Sequence, residues 1–142
     1  RGFWPYFYTC VVAILGFRPE PVELEYADGS RQRVCPFLLV LANTSQYGYG
    51  ATIAPEARPD DGELDVCVIE NLTLTRALFN ARRLFDGTID RMPGVTTRKT
   101  KGVRIRRDSV RHIQVDGEAV LGGIEVEVVL TPKALQVALP AA

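Results

Sequence analysis

Apolar residues recur at two spacings along the chain, and the two do not mix. Phe3, Tyr6, Phe7, Cys10, Val11 and Ile14 fall three or four apart, a helical stripe with Pro5 tolerable in its first turn. Gly16 ends that pattern, and Pro19 and Pro21 prevent its continuation. From Val22 to Tyr26 apolar and acidic residues alternate, the period of a half-buried strand. Asp28-Gly29 turns the chain, and Arg31 to Cys35 returns as the second arm of a hairpin. Phe37–Ala42 and Leu64–Ile69 are almost continuously apolar, as expected of strands buried on both faces. Between them lie a glycine-bearing loop over residues 43–50 and a short strand, Ala51–Ala54.

A second helix is expected near 73–86, with Leu74, Ala77, Leu78, Ala81, Leu84 and Phe85 on one face. Thr73 or Thr75 would cap it and Gly87 would end it. Residues 95–139 read as four or five short strands, separated by Gly102, Asp116-Gly117, Gly122-Gly123 and Thr131-Pro132. The pattern predicts an α+β, mostly β chain. It is a single domain over residues 1–142: a leading helix over 1–17, then an antiparallel β-sandwich over 22–139 carrying one further helix.

The 142 residues and 46% apolar content suit one globular core, and the apolar run 8–17 is too short to span a bilayer. It has no basic start and no Ala-x-Ala site, so it is not read as a signal peptide. Cys10, Cys35 and Cys67 are odd in number and scattered, which fits reduced thiols in an intracellular core. The formal charge is zero but strongly segregated. Residues 76–111 hold eleven Lys/Arg against three Asp/Glu, whereas residues 1–75 hold five against ten. Arg98, Lys99, Lys101, Arg104, Arg106, Arg107 and Arg111 crowd the end of the basic block. Such a run suits phosphate groups or an anionic membrane surface, or else a solvated strand face. No aromatic residues interleave with it, which argues against nucleic acid.

Two acidic glycine turns hold the candidate chemistry: Arg58-Pro-Asp-Asp-Gly-Glu63 and Val115-Asp-Gly-Glu118. Asp-Gly steps make tight turns, and each of these holds carboxylates at a strand end. An EF-hand is excluded, because registering Gly62 as its glycine puts Ala57 and Val68 at ligand positions. A single-ion site of one carboxylate, carbonyls and water suits magnesium. Zinc hydrolysis is disfavoured by the lone His112, which reads as a structural strand residue. Neither a G-x-S-x-G elbow nor a P-loop is present.

Taken in order, Val40-Leu-Ala-Asn43, Gly48-x-Gly50, Ile53-Ala-Pro55, Asp60-Asp-Gly62, Leu64-Asp-Val66, Val115-Asp-Gly-Glu118 and Leu135-Gln-Val137 resemble one family. It is the C-terminal domain of the bacterial diacylglycerol kinase and sphingosine kinase-like lipid kinases. The resemblance covers nearly the whole chain. It implies a two-lobed kinase whose N-terminal lobe binds ATP through a Gly-Gly-Asp-Gly-Thr motif, and whose C-terminal β-sandwich closes the cleft and helps bind the lipid. Gly-Gly-Asp-Gly-Thr does not occur here, so the resemblance implies the substrate-side lobe alone, inactive by itself.

By position, the resemblance makes Glu118 the general base and Asp61 a magnesium ligand, joined by the backbone carbonyls of Arg58 and Glu63. Glu63 stands where the family has an apolar residue, a departure that a backbone contact tolerates. The implied partners are a lipid alcohol, ATP held mainly by the other lobe, and that lobe itself. The implied location is the cytoplasm or the inner face of the membrane. Two alternatives stay open: a non-catalytic sandwich binding an anionic membrane or a protein through residues 98–111, and an NAD-kinase-like enzyme of the same two-lobe plan.

Overall fold

The computed structural model describes residues 12, 16–48 and 50–134. The helix expected over 1–17 and the Leu135-Gln-Val137 motif therefore lie outside the described residues or almost wholly so. Eleven strands follow in chain order: β1 Val22–Tyr26, β2 Arg31–Val34, β3 Pro36–Ala42, β4 Gln46–Gly48, β5 Ala51–Thr52, β6 Leu64–Glu70, β7 Val95–Thr100, β8 Gly102–Arg107, β9 Arg111–Val115, β10 Glu118–Gly122 and β11 Glu125–Val129. Helices α1 Leu74–Asn80 and α2 Arg83–Asp86, with a 3₁₀ turn at Ile89–Arg91, fill the span between β6 and β7.

Two antiparallel sheets face each other, one ordered β11-β8-β1-β2 and the other β3-β6-β7. Alternation explains how they meet. Leu24 and Tyr26 of β1, Val34 of β2 and Val103 of β8 pack against Val66 and Val68 of β6. Leu24 is fully buried, so its truncation to Ala should cost about 2–5 kcal/mol. The other face of β6 carries Cys67 and Ile69, which pack with Ile53, Ala54, Ala57, Ile89 and Met92. The β3-β6-β7 sheet is therefore covered on both faces, by the first sheet and by a layer of loop and helix.

The two apolar runs separate here. β6 is the middle strand of its sheet and is buried from Leu64 to Ile69, as expected. β3 is an edge strand, and Leu38 is 40% exposed. Its apolar run reflects an open groove rather than burial on both sides. The expected helix near 73–86 is broken into α1 and α2. Thr73 caps it, accepting from the backbone N–H of Arg76, and Gly87 ends it at φ 70°. Its apolar face is less covered than the periodicity predicts, since Leu78 and Phe85 are exposed. The span 95–139 contains five strands within 95–129, and the loop 43–50 holds the short strand β4. Cys35 is exposed rather than buried, and both it and Cys67 are free thiols. Burial pushes the Cys67 thiol up, which keeps it protonated.

Candidate functional site

Val115 and Glu118 are register partners at the end of the β9–β10 ribbon, so the loop between them is just Asp116-Gly117. Both loop residues have positive φ, 48° and 95°. This is the twist-matched two-residue hairpin turn that Asp-Gly favours. Pairing puts Glu118 on the same face of the ribbon as Val115, Val120 and Ile113. Its side chain is exposed, and no hydrogen bond or ion pair reaches it among the described residues. The tight turn leaves the Glu118 side chain facing solvent at the end of the ribbon.

Beside this ribbon runs a groove of about 1220 Å³. Its walls include Leu39 and Leu41 of β3, Ile105 of β8, and Val126 and Val128 of β11. Four of these five pack only partly against the inter-sheet core, so the groove opens the sandwich interior to solvent. At one end Glu20 accepts from Ser109 Oγ (3.0 Å) and from Arg111. Asn43, Thr44, Tyr47 and the Asp116-Gly117 turn also line the groove. The Tyr47 hydroxyl donates to Gln114 Oε1, tying the 43–48 segment to the ribbon that bears Glu118. The structure thus brings Asn43 and the Asp116-Gly117 turn to one groove, while Glu118 itself falls just outside its lining.

Asp61 belongs to a different place. Its Oδ1 accepts from the Glu63 backbone N–H at 3.0 Å, which closes the turn leading into β6. Its Oδ2 receives Lys99 Nζ at 2.5 Å. The same ammonium reaches Asp65 Oδ2 at 3.1 Å. Lys99 lies directly opposite Asp65 in the β6–β7 ladder, so both side chains leave the same face of the sheet. That face also bears Cys67 and looks toward the loop and helix layer, whereas the groove runs along the β3 edge and is not lined by Asp61, Asp65 or Lys99. A small cavity of about 230 Å³ there is lined by Pro55, Glu56, Asp65, Asp90, Thr97 and Lys99.

The hydrogen bond from Lys99 holds the Asp61 carboxyl below the usual carboxylate range, helped by the Glu63 N–H. Reciprocally, Asp61 and then Asp65 raise the Lys99 ammonium above its usual value. The carboxylate expected to bind magnesium thus already holds a cation. Both Asp61 oxygens are engaged, and among the described residues no group of three or more His, Cys, Asp or Glu side chains is placed to hold a metal. As arranged, the Asp61 carboxylate meets the Lys99 ammonium where the resemblance implies a divalent ion. Position in sequence pointed to Asp61. The signal for its partner was the alternation of β7, which puts Lys99 on the Asp65 side once strand pairing is known.

The basic block is also accounted for. On the outer face of the four-stranded sheet, Arg31 and Arg33 stand opposite Glu25 and Glu23, which stand opposite Arg104 and Arg106. Arg104 and Arg106 in turn face Glu127 and Glu125. Arg104 reaches Glu127 and Arg106 reaches Glu125, each at 2.9 Å. Arg98 bonds Asp28, Arg111 bonds Glu20, and Arg107 donates to the carbonyls of Gly123 and Arg111. Of the seven crowded cations, Lys101 alone has no ion pair or side-chain hydrogen bond among the described residues. Residues 98–111 form a cross-strand charge lattice more than a free anion-binding face. No helix of the described residues is long and apolar enough to cross a membrane.

Two facing antiparallel sheets, with a groove between them and an acidic hairpin turn at its edge, define a β-sandwich domain. The model of the family described as the YegS C-terminal NAD kinase beta sandwich-like domain matches residues 1–139, and the chain belongs to that family. It is 30% identical over 146 residues to the diacylglycerol kinase of Mycobacterium tuberculosis, covering 99% of this chain and 46% of that protein. A probable lipid kinase YegS-like protein of Chromohalobacter salexigens is 37% identical over 62 residues, 44% of this chain and 20% of its own. A solved diacylglycerol kinase from Bacillus anthracis superposes with a TM-score of 0.62 at 21% identity, covering 91% of this chain and 44% of that one. A second Bacillus anthracis structure gives 0.67 at 19% identity, with 89% and 41% covered. The chain spans less than half the length of the curated relatives it matches.

Proposed function

We propose that this chain is the substrate-side lobe of an ATP-dependent lipid kinase, acting on the hydroxyl of a diacylglycerol-like lipid alcohol. One observation carries the reading. Within a domain of this family, an apolar groove of about 1220 Å³ is lined by the Asp116-Gly117 turn that immediately precedes Glu118. A hydrocarbon chain gains about 0.8 kcal/mol per buried methylene, and branched aliphatic walls suit it. In this reading the chain lies along β3 and its hydroxyl emerges near the Asp116-Gly117 turn.

Phosphoryl transfer asks the protein for alignment and charge stabilisation more than covalent chemistry. Glu118 would accept the hydroxyl proton as the oxygen attacks the γ-phosphorus of ATP, whose bond to the β,γ-bridging oxygen breaks to release ADP. ATP, and the magnesium that travels with it, would be held by the part of the protein corresponding to the relatives' additional length. The groove end near Glu20 and Arg111 would then lie away from the reaction. Work at the inner face of the membrane would follow from the substrate, since the lipid must be drawn from a bilayer.

The test is phosphate transfer from labelled ATP by the full-length protein that carries this chain, across a panel of lipid alcohols. Diacylglycerol, a sphingoid base and a prenol should be compared. Transfer to at least one is expected, with Leu41→Glu in the groove wall raising KM for that lipid. A full-length protein that phosphorylates none of them would overturn the reading.

A further inference from the structure

We propose that Lys99 is the resident cation of the Asp61–Asp65 corner, standing in place of a divalent metal ion. Three observations combine. Strand pairing sets Lys99 opposite Asp65, and the Asp65 side chain is only 2% exposed. The Asx-type turn at Asp61-Gly62-Glu63 fixes Asp61 Oδ1 against the Glu63 N–H and leaves Oδ2 to meet the ammonium at 2.5 Å. One Nζ therefore bridges two carboxylates, 2.5 Å from one and 3.1 Å from the other.

The bridge cannot be surrendered cheaply. Asp65 has no other ion-pair partner among the described residues, and a buried carboxylate stripped of its counterion is strongly destabilising. A magnesium ion at Asp61 would either evict Lys99 or sit within a few ångströms of its positive charge. Magnesium also requires a near-octahedral shell and gives up its water reluctantly. A tethered ammonium needs neither, and the strand delivers it without a binding equilibrium. Lys99 thus does structurally what an ion would do: it locks the turn before β6 onto β7. Glu56 and Asp90 line the same small cavity, so removing Lys99 would leave several carboxylates around a space of about 230 Å³.

The experiment is thermal unfolding with calorimetric titration, with no nucleotide present, on the full chain as wild type, Lys99→Met, Lys99→Arg and Asp61→Asn. Each is measured in millimolar magnesium chloride and in potassium chloride of equal ionic strength. The wild type and Lys99→Arg should show no magnesium-specific shift and no binding heat. Lys99→Met should melt earlier, because Asp65 loses its one ion-pair partner among the described residues. If Lys99→Met does not fold, the wild-type and Lys99→Arg titrations still decide the matter. A saturable magnesium response in the wild type that Asp61→Asn abolishes would overturn the proposal. So would a Lys99→Met chain that melts like the wild type. None of these outcomes depends on the lipid kinase reading, which transfer assays test separately.

Discussion

The guanidinium carbon of Arg98 lies 3.9 Å from the centre of the Tyr26 ring. Tyr26 belongs to β1 in one sheet and Arg98 to β7 in the other, so the contact spans the sandwich. The same guanidinium donates to Asp28 Oδ2 at 2.6 Å, which fastens the β1–β2 turn to the opposite sheet. A cation over a ring is worth about 0.5–2 kcal/mol depending on desolvation. Arg98 is one of the residues that made residues 98–111 look like a binding surface, and its charge is spent inside the fold.

Asp28 gives a pH test of that corner. Hydrogen bonds from the Ser30 hydroxyl and then its N–H, with Arg98 adding to them, hold the Asp28 carboxyl below the usual range. The folded state therefore binds the proton less readily than the unfolded chain. The stabilisation is present above the ordinary aspartate range and is lost as pH falls through the depressed folded value. Asp28→Asn should lower the melting temperature at neutral pH, and the gap should close as the solution is acidified. A gap of constant size at every pH would show that the charge is irrelevant.

The charge lattice predicts a stability effect and no binding effect. Exposed ion pairs are worth about 0.2–1 kcal/mol each, and Arg104 and Arg106 each touch two carboxylates. Converting both to Gln should destabilise the chain by about 1 kcal/mol in denaturant titrations. Co-sedimentation with phosphatidylglycerol vesicles should not change. Vesicle binding by the wild type that the double variant loses would make this face a membrane surface after all.

Glu118→Gln keeps the size of the side chain but cannot take a proton. In the full-length protein that carries this chain, kcat should fall by about 10²–10⁴-fold, the usual contribution of a placed general base. The KM for ATP should hardly move. Asp116→Asn is the control. Asp116 sits at φ 48° in the turn, a conformation Asn tolerates well, so activity should persist. Retention of more than about a third of kcat in Glu118→Gln would remove the base assignment.

On the proposed reading the 142-residue chain by itself should transfer no phosphate from ATP to a lipid alcohol, because the donor would be held by the part corresponding to the relatives' additional length. Activity above a mock preparation, tracking with the purified chain, would contradict that division of labour.

Periodicity and turn chemistry determined a large share of this protein before any coordinates. The alternation of Val22–Tyr26, the Asp28-Gly29 and Asp116-Gly117 turns, the Thr73 cap and the Gly87 stop are local effects, readable within a few residues. So was the order of motifs that identified the family. What the tertiary structure decided depends on strand pairing, which local sequence does not encode. The apolar runs of β3 and β6 look alike, and only sheet order makes one an edge beside a groove and the other a buried centre. The segregated charges read as patches along the chain, yet β8 falls between β1 and β11, where its arginines meet their glutamates. Lys99 seemed one more member of a basic run until the β6–β7 register set it against Asp65 and within reach of Asp61. Each of these outcomes turns on which distant strands become neighbours, because a side chain's charge or apolar surface acts only on what folding brings within a few ångströms.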